Sequence, residues 1–257
     1  MKGVWEGLLN GLEPCRLVTL IGGGGKTSLM YYLVSQWKGR GCKAVAATTT
    51  KLSGVRKENH RFRFVASLEE GKGQLALANQ TRELSTLVYG EDEMQPGKIK
   101  GLPGPWLDAF AQTFPDTLLV VEGDGSAGRS LKGHMSHEPV IPATSPLVIV
   151  IVGADVIGKP LCAEFVHRPE RAAELAGSFL GSTVTAKTIR NLLVHPEGYL
   201  HNCPRHSQVV VFINKVETEA DREQVRPLVE ELAACGHPQI QGIILGSVRQ
   251  QRFSWGG

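Results

Sequence analysis

Four consecutive glycines stand between an apolar run and a lysine near the start of the chain. Residues 14–28 read Pro-Cys-Arg-Leu-Val-Thr-Leu-Ile-Gly-Gly-Gly-Gly-Lys-Thr-Ser. The apolar run Leu17–Ile21 predicts a strand, and apolar residues at four-residue spacing after the lysine predict a helix. Glycines at such a junction let backbone N–H groups converge on an anion, and the helix start adds partial positive charge. The stretch therefore predicts a phosphate-binding loop.

The residues of this loop differ in their expected roles. We expect Lys26 to reach the outer phosphates and the Thr27 hydroxyl to bind Mg²⁺. The spacing Gly22-x-x-Gly25-Lys26-Thr27 is shorter than the usual pattern and resembles the loop of Mur-type ligases. A dinucleotide-binding fingerprint fits less well, because it needs Gly or Ala where Thr27 stands. We therefore predict an ATP or GTP site that involves Gly22, Gly23, Gly24, Gly25, Lys26, Thr27 and Ser28.

Two carboxylates follow a second apolar run, Thr117–Val121. Ligands of an open parallel sheet bind at the carboxyl ends of its strands, which places Glu122 and Asp124 near the phosphates. A triphosphate with Mg²⁺ needs a carboxylate there to hold the ion or its water. We expect Lys26, Glu122 and Asp124 to be catalytic, and Thr27, Glu122 and Asp124 to hold the metal. The residues alone do not say which carboxylate binds the ion and which polarises a nucleophile.

Further polar residues follow other predicted strands or lie in the Gly-, Ser- and Pro-rich loop 123–146. Cationic and hydroxyl side chains at these places suit an anionic substrate or the charge of a transition state. The histidines have no partner pair at zinc-finger spacing, so we interpret them as loop residues, some of which contact substrate. The predicted substrate contacts are Thr49, Thr50, Lys51, Arg129, Lys132, His137, His167 and Arg168.

The strand predicted at Val209–Ile213 ends in Asn214-Lys215-Val216-Glu217. This tetrad resembles the Asn-Lys-x-Asp element of GTP-binding proteins, in which the carboxylate accepts from the N1–H and 2-amino groups of guanine. Glu217 in place of aspartate moves the acceptor outward by one methylene. We expect Asn214, Lys215 and Glu217 to contact the base, with ATP and GTP both still possible.

Short apolar runs alternate with helical patterns along the chain, which predicts a mostly parallel sheet with helices on both faces. The fold class is α/β and P-loop NTPase-like. We predict one P-loop domain over residues 1–257, with a small hairpin insert near 85–104 formed by Thr86–Tyr89 and Lys98–Lys100. Other predicted strands are Lys43–Ala47, Leu147–Val152 and Ile240–Leu245; predicted helices are Trp106–Phe114, Pro169–Leu180, Thr185–Val194 and Thr218–Ala234.

Composition excludes several classes of partner. The chain has 257 residues, of which 42% are hydrophobic and 21% charged, as is ordinary for a globular protein. Its net charge of +3 is too small to indicate binding to nucleic acid or to an acidic membrane surface. Five scattered cysteines do not indicate a disulfide framework, and no apolar run approaches a membrane span of about 20 residues. We expect a cytoplasmic protein.

Taken together, these segments resemble the selenium-dependent hydroxylase accessory protein family known as YqeC. The resemblance extends from about residue 14 to about residue 247 of the chain. Two positions depart from it: Gly123 stands where alanine is expected, and Glu217 where aspartate is expected. The segments that carry the resemblance are 22–28, 48–51, 121–126, 131–132, 137–142, 153–161, 166–170, 195–198 and 213–217.

The resemblance implies a P-loop protein that takes part in maturation of molybdenum-containing hydroxylases, including those with labile selenium. Its implied partners are a molybdenum hydroxylase or the proteins that mature the hydroxylase cofactor. Three functions stay open. The protein is an accessory protein that hydrolyses ATP or GTP with Mg²⁺, a small-molecule kinase or ligase that transfers the γ-phosphoryl group to an anionic substrate, or a non-catalytic nucleotide sensor.

Overall fold

Strands and helices alternate along the chain. The computed structural model describes residues 3–12, 15–53, 60–90 and 98–256. The strands are β1 (Leu17–Gly22), β2 (Ala44–Thr48), β3 (Leu52–Ser53), β4 (His60–Val65), β5 (Leu84–Tyr89), β6 (Lys98–Ile99), β7 (Leu118–Glu122), β8 (Leu131–Lys132), β9 (Leu147–Gly153), β10 (Val166–His167), β11 (Gln208–Asn214), β12 (Ile240–Ser247) and β13 (Arg252–Trp255). The helices are α1 (Val4–Asn10), α2 (Lys26–Gly39), α3 (Leu68–Asn79), α4 (Gly104–Thr113), α5 (Pro169–Ala176), α6 (Ala186–Val194) and α7 (Glu219–Ala234).

A single twisted sheet forms the centre of the molecule. In the described part of the chain it has nine strands in the order β13-β12-β11-β9-β1-β7-β2-β5-β4. Every neighbouring pair is parallel except β12 and β13, which are antiparallel. Parallel strands need long crossover connections, and the helices supply them. This is the α/β architecture, a mostly parallel sheet with helices, that the sequence predicts.

Apolar side chains cover both faces of the sheet. Within β1, Val18 and Leu20 belong to the cluster formed with α1 and α2. Leu17 packs on the opposite face in the cluster that α3 and α4 complete, and Ile21 packs there with α5, α6 and α7. Successive side chains of a strand point to opposite faces, so a strand buried on both sides is mostly apolar, and the buried Thr19 of β1 is hydrogen-bonded to Ser145. This explains the continuous apolar runs in the sequence.

The two runs of the predicted hairpin, Thr86–Tyr89 and Lys98–Lys100, lie within the described residues. Residues 86–89 belong to β5, which pairs in parallel with β2 and β4 inside the main sheet. One antiparallel bridge joins Tyr89 to Lys100, and β6 pairs with β3. Residues 91–97 lie outside the described residues, so the insert near 85–104 stays a prediction.

Two features of the strand arrangement bring predicted site residues together at one edge of the sheet. The carboxyl ends of β1, β2 and β7 are neighbours, so the loops that follow them meet at one edge. The short strands β8 and β10 pair in parallel and bring residue 132 beside residue 167. No helix among the described residues is long and apolar enough to cross a membrane.

Candidate functional site

The turn from β1 into α2 requires glycine. Gly24 and Gly25 have φ values of +84° and +128°, a region that side-chain-bearing residues rarely adopt. A Cβ atom at Gly24 would lie 2.4 Å from the Gly153 nitrogen, and one at Gly25 would lie 2.4 Å from the Asn214 side-chain nitrogen. The loop is therefore packed tightly against the ends of β9 and β11.

Some backbone amides of the turn are bonded to carbonyls within the protein, while those at the start of α2 have no capping side chain among the described residues. The Gly23 N–H donates to the Ile151 carbonyl at 2.9 Å, and the Gly24 N–H donates to the Arg129 carbonyl at 2.8 Å. Helix α2 begins at Lys26, and no described side chain caps its N-terminus. The first N–H groups of a helix have no partner within the helix, so an uncapped start that lines a cleft is suited to an anion.

Lys26 is buried at this helix start and is held by oxygen atoms on several sides. Its Nζ donates to the Gly22 carbonyl and lies 3.2 Å from Ser126 Oγ. It lies 3.2 Å from Asp124 Oδ1 and 3.9 Å from Glu122 Oε1. The ammonium group is therefore directed to the space between the loop and the end of β7.

Glu122 ends β7 and faces the start of α2. The Thr27 hydroxyl donates to Glu122 Oε2 at 2.7 Å. Burial raises the pKa of Glu122, and the charge of Lys26 and the bond from Thr27 oppose that rise only in part. A hydroxyl and a carboxylate at the foot of a phosphate loop are the protein ligands that Mg²⁺ takes alongside phosphate oxygens. Thr27 and Glu122 therefore fit a Mg²⁺–triphosphate.

Asp124, two residues further on, lies in a different environment. It is 1% exposed, and both of its oxygens accept from the Gly22 N–H at 3.1 Å. Besides Lys26, Lys132 Nζ lies 3.3 Å and His134 Nε2 lies 2.5 Å from Oδ2. Burial alone would raise the pKa of Asp124, but Lys26, the bond from His134 and Lys132 outweigh it and hold that pKa far below its usual range.

These contacts separate the two carboxylates that the sequence left equivalent. Glu122 lines the cleft, whereas Asp124 does not, and the oxygens of Asp124 are engaged by the loop and its cations. These contacts suit Asp124 to hold the phosphate loop in place and do not suit it to bind a metal ion. Among the described residues, no group of three or more His, Cys, Asp or Glu side chains is placed to hold a metal ion.

Lys132 lies behind the cleft, whereas the sequence suggested that it contacts substrate. It is fully buried, and its Nζ donates to the Gly125 carbonyl at 2.5 Å. Besides Asp124, it pairs with Glu138 Oε2 at 3.0 Å, and Arg168 pairs with the same Glu138 carboxylate. Burial would raise the pKa of Glu138, but the bond from Arg168 and the charge of Lys132 lower it.

Asn214 ties the phosphate loop to the segment after β12. Its Nδ2 donates to the Gly24 carbonyl at 2.7 Å, and its Oδ1 accepts from the Val248 N–H at 3.1 Å. Lys215 has a φ of +66°, and its Nζ bonds to Ser130 Oγ at 2.8 Å and to Asp155 Oδ2 at 2.7 Å. The first two residues of the tetrad are therefore fixed to the phosphate-loop side of the cleft.

Glu217 is bound by two side chains, one at the end of β12 and one from the segment that follows it. Ser247 Oγ donates to Glu217 Oε1 at 2.8 Å, and Arg249 donates to both carboxylate oxygens. The bond from Arg249 is the main cause that lowers the pKa of Glu217. A guanine that bonded to this carboxylate would therefore share it with Arg249.

One cleft of about 1960 Å³ gathers most of the predicted residues. Gly22, Gly23 and Asp124 lie beneath it, and Lys132 lies behind it. Arg129 is exposed outside the lining, and its Nε donates to the Ala163 carbonyl at 2.8 Å. The predicted residues that line the cleft are Gly24, Gly25, Lys26, Thr27, Ser28, Thr49, Thr50, Lys51, Glu122, His137, His167, Arg168, Asn214, Lys215 and Glu217.

The structure adds residues that the sequence did not single out. His134, interpreted as a loop histidine, is fully buried against Asp124, and its ring meets Tyr199 edge-on with centroids 4.4 Å apart. Ser126 contacts Lys26, and Arg249 contacts Glu217. The contacts of Ser126 and Arg249 join segments distant in sequence, and no local pattern indicates them. Ser126 itself lies four residues after Glu122, so the rule that ligands bind at strand ends could have indicated its position but not its contact.

Comparison with known proteins agrees with the resemblance seen in the sequence. A protein from Escherichia coli (strain K12) described as an uncharacterized protein YqeC is 27% identical over 238 residues, which cover 91% of this chain and 88% of that protein. Among solved structures, HypB from Helicobacter pylori in complex with nickel matches with a TM-score of 0.38 and 10% identity, over 92% of this chain and 80% of that chain. That similarity is too low to bear on function. The family model described as YqeC protein matches residues 18–170, more than half of the chain, and the chain therefore belongs to the YqeC family.

Proposed function

We propose that this protein binds a nucleoside triphosphate with Mg²⁺ and hydrolyses it. The observation that carries the proposal is the uncapped start of α2 beside Lys26, because helix N–H groups and an ammonium group there complement a polyphosphate. The geometry of Thr27 and Glu122 supports the metal half of the proposal. The triphosphate is ATP or GTP, with its base toward Asn214, Lys215 and Glu217.

Each residue has a defined task in this hydrolysis. When bound, Mg²⁺ would supply positive charge to the phosphates as water attacks the γ-phosphorus and the nucleoside diphosphate leaves. Thr27 and Glu122 would hold that ion, and Lys26 would leave its contact with Asp124 to neutralise the outer phosphate oxygens. Asp124 keeps the Gly22 end of the loop in place through the Gly22 N–H. Stabilisation of developing charge by groups already in position is the main source of such rate enhancement.

A kinase or ligase is the second candidate, and one observation favours it. His137, His167 and Arg168 line the same cleft as the phosphate loop, which leaves room for an acceptor of the γ-phosphoryl group. The accessory role in maturation of molybdenum-containing hydroxylases, with such a hydroxylase or its maturation proteins as partner, stays a prediction from the family resemblance.

Calorimetry with ATP and with GTP, each with Mg²⁺, tests the binding step. Lys26→Ala should lower affinity about 10- to 150-fold, because a hydrogen bond to a charged group is worth about 1.5–3 kcal/mol. Lys187→Ala, which changes an exposed lysine of α6, is the matched control and should bind as the wild type does. Wild-type affinity in Lys26→Ala would refute the phosphate-loop assignment.

Radiolabelled ATP and GTP separate the three functions. Release of inorganic phosphate that is lost in Lys26→Ala supports hydrolysis. Label that moves to an added carboxylate- or phosphate-bearing acceptor supports the kinase or ligase. Tight binding with neither product supports a nucleotide sensor and contradicts the catalytic part of the proposal.

A further inference from the structure

The cleft is larger than a nucleotide requires. Its volume of about 1960 Å³ exceeds the roughly 300–1,000 Å³ that is typical of small-molecule sites. The phosphate loop and the polar residues of the 214–217 tetrad line one part of it. The other part is lined by His137, Glu138, His167 and Arg168. The second part has its own side chains, and their charge indicates what it binds.

Positive charge exceeds negative charge on the described lining of this cleft. Its carboxylates are Glu122, Glu138 and Glu217, and each is already close to a cation. Lys51 and Lys100 are exposed on the lining. An excess of one sign of charge in a cleft concentrates ligands of the opposite sign. The cationic side chains are Lys26, Lys51, Lys100, Arg168, Lys215 and Arg249.

Arg168 is the cation whose position is most strongly determined. Its backbone is in the left-handed region, with φ +54° and ψ +65°, which is strained for a residue with a side chain. The pairing of β8 with β10 and the bond from the Gly133 N–H to the His167 carbonyl, at 2.8 Å, hold this conformation. Such strain persists where the surrounding structure enforces it, and it is concentrated at ligand sites.

The Arg168 side chain is oriented by the Glu138 carboxylate, which is itself bound by the buried Lys132. Glu138 accepts from Arg168 Nη1 and, at 3.5 Å, from Nη2, and the buried Lys132 lies 3.0 Å from the same carboxylate. The Arg168 side chain is nevertheless 32% exposed, and a guanidinium has five N–H donors. An oriented, planar guanidinium group with N–H donors that are not all used is suited to bind a carboxylate or phosphate group.

The pKa of His167 is affected both by its neighbour Arg168 and by Lys26 of the phosphate loop. Burial lowers the pKa of His167, and the charges of Arg168, Lys132 and Lys26 lower it further. The imidazole is therefore neutral at neutral pH and offers a donor and an acceptor. Because the charge of Lys26 affects the pKa of His167, the two residues lie within electrostatic range of each other. An anion held at Arg168, next to His167, would therefore also be within electrostatic range of phosphates bound at Lys26.

We infer that His137, His167 and Arg168 bind a second, anionic ligand in the same cleft, a small molecule that carries a carboxylate or a phosphate group. The inference rests on the proposed function, because it places this ligand beside the nucleotide. Glu138 is the positioning residue of the site: it orients Arg168 and competes with the ligand for it.

Calorimetry tests the site with two probes. Protein saturated with Mg²⁺ and a non-hydrolysable ATP or GTP analogue is titrated with inorganic phosphate and, separately, with malonate. The wild type should bind at least one of them, and the probe that binds shows whether the site takes phosphate or carboxylate. Arg168→Ala should weaken that binding about tenfold or more, because a charged hydrogen-bond pair is lost. Arg82→Ala, at an exposed arginine before β5, should leave it unchanged.

Glu138→Gln gives the opposite expectation. Removing the competing charge should free Arg168 and tighten probe binding, an effect that general loss of structure would not produce. If Arg168→Ala does not fold, Arg168→Lys, which keeps the charge but loses the planar guanidinium group, should bind the probe more weakly than the wild type. Absence of heat with both probes, or wild-type affinity in the Arg168 variant, overturns the inference. Failure of the nucleotide analogue to bind in the first step refutes the proposed function instead.

Discussion

Replacing each of the two carboxylates after β7 by its amide should have opposite effects on stability. Asp124→Asn removes the charge that faces buried Lys26 and Lys132, at 3.2 and 3.3 Å. Breaking a buried ion pair by neutralising one partner costs about 3–5 kcal/mol. At about 2–4 °C per kcal/mol for a chain near this length, the melting temperature should fall by roughly 6–20 °C.

Glu122→Gln is the matched control, two residues away on the same segment. Burial already raises the pKa of Glu122, so the ionised form gains little from the fold. The amide oxygen can still accept from the Thr27 hydroxyl. We expect its melting temperature at neutral pH to equal or exceed that of the wild type, while Mg²⁺-dependent nucleotide binding is lost.

Differential scanning calorimetry of both variants without nucleotide measures this difference, and its pH dependence gives a second check. The pKa of Asp124 is lowered in the folded protein, so its contribution to stability is fully present above the unfolded value of about 3.9 and is lost as pH falls toward the folded value. The deficit of Asp124→Asn should therefore shrink below about pH 4. An Asp124→Asn variant that melts within about 3 °C of the wild type, or a Glu122→Gln variant that falls equally far, would refute the reasoning.

Three further substitutions test separate parts of the cleft. Thr27→Val should abolish the dependence of nucleotide affinity on Mg²⁺ in calorimetry, whereas Thr113→Val, at an exposed helix position, should preserve it. Asn214→Ala removes the bonds to Gly24 and Val248 and should weaken nucleotide binding by up to about 5- to 150-fold, as expected for two hydrogen bonds of about 0.5–1.5 kcal/mol each; unchanged affinity would show that the loop does not need this tether. Glu217→Ala should weaken GTP more than ATP, and equal losses would remove the reason for assigning base recognition to the tetrad.

The strands and helices that alternate along the chain were predictable from sequence. The run Leu17–Ile21 became β1 (Leu17–Gly22), and the predicted helix Thr218–Ala234 became α7, with Thr218 as its N-cap. These elements depend on local apolar periodicity and on capping residues, both of which are visible in a short window. A short apolar run has the same pattern in a hairpin as in a buried parallel strand, so the sequence does not show that residues 86–89 also pair in parallel within the main sheet.

The distinction between Glu122 and Asp124 was not predictable, because both follow the same strand. It arises from the side chains that surround each carboxylate in the folded protein. Lys132 at the end of β8 and His134 just after it reach Asp124, while Thr27 reaches Glu122 from α2. For the same reason Lys132 was expected in the cleft. Its charge is visible in the sequence, but its burial between Asp124 and Glu138 depends on the three-dimensional arrangement of residues 124–138, which residue types alone do not show.

A crystal structure with Mg²⁺ and a non-hydrolysable ATP or GTP analogue tests the central claim most directly. We expect the phosphates against the N–H groups at the start of α2, with Lys26 on their outer oxygens. The ion should contact Thr27 directly and Glu122 directly or through water, while Asp124 keeps its bond to the Gly22 N–H. A triphosphate bound elsewhere, or an ion coordinated by Asp124, would contradict the account.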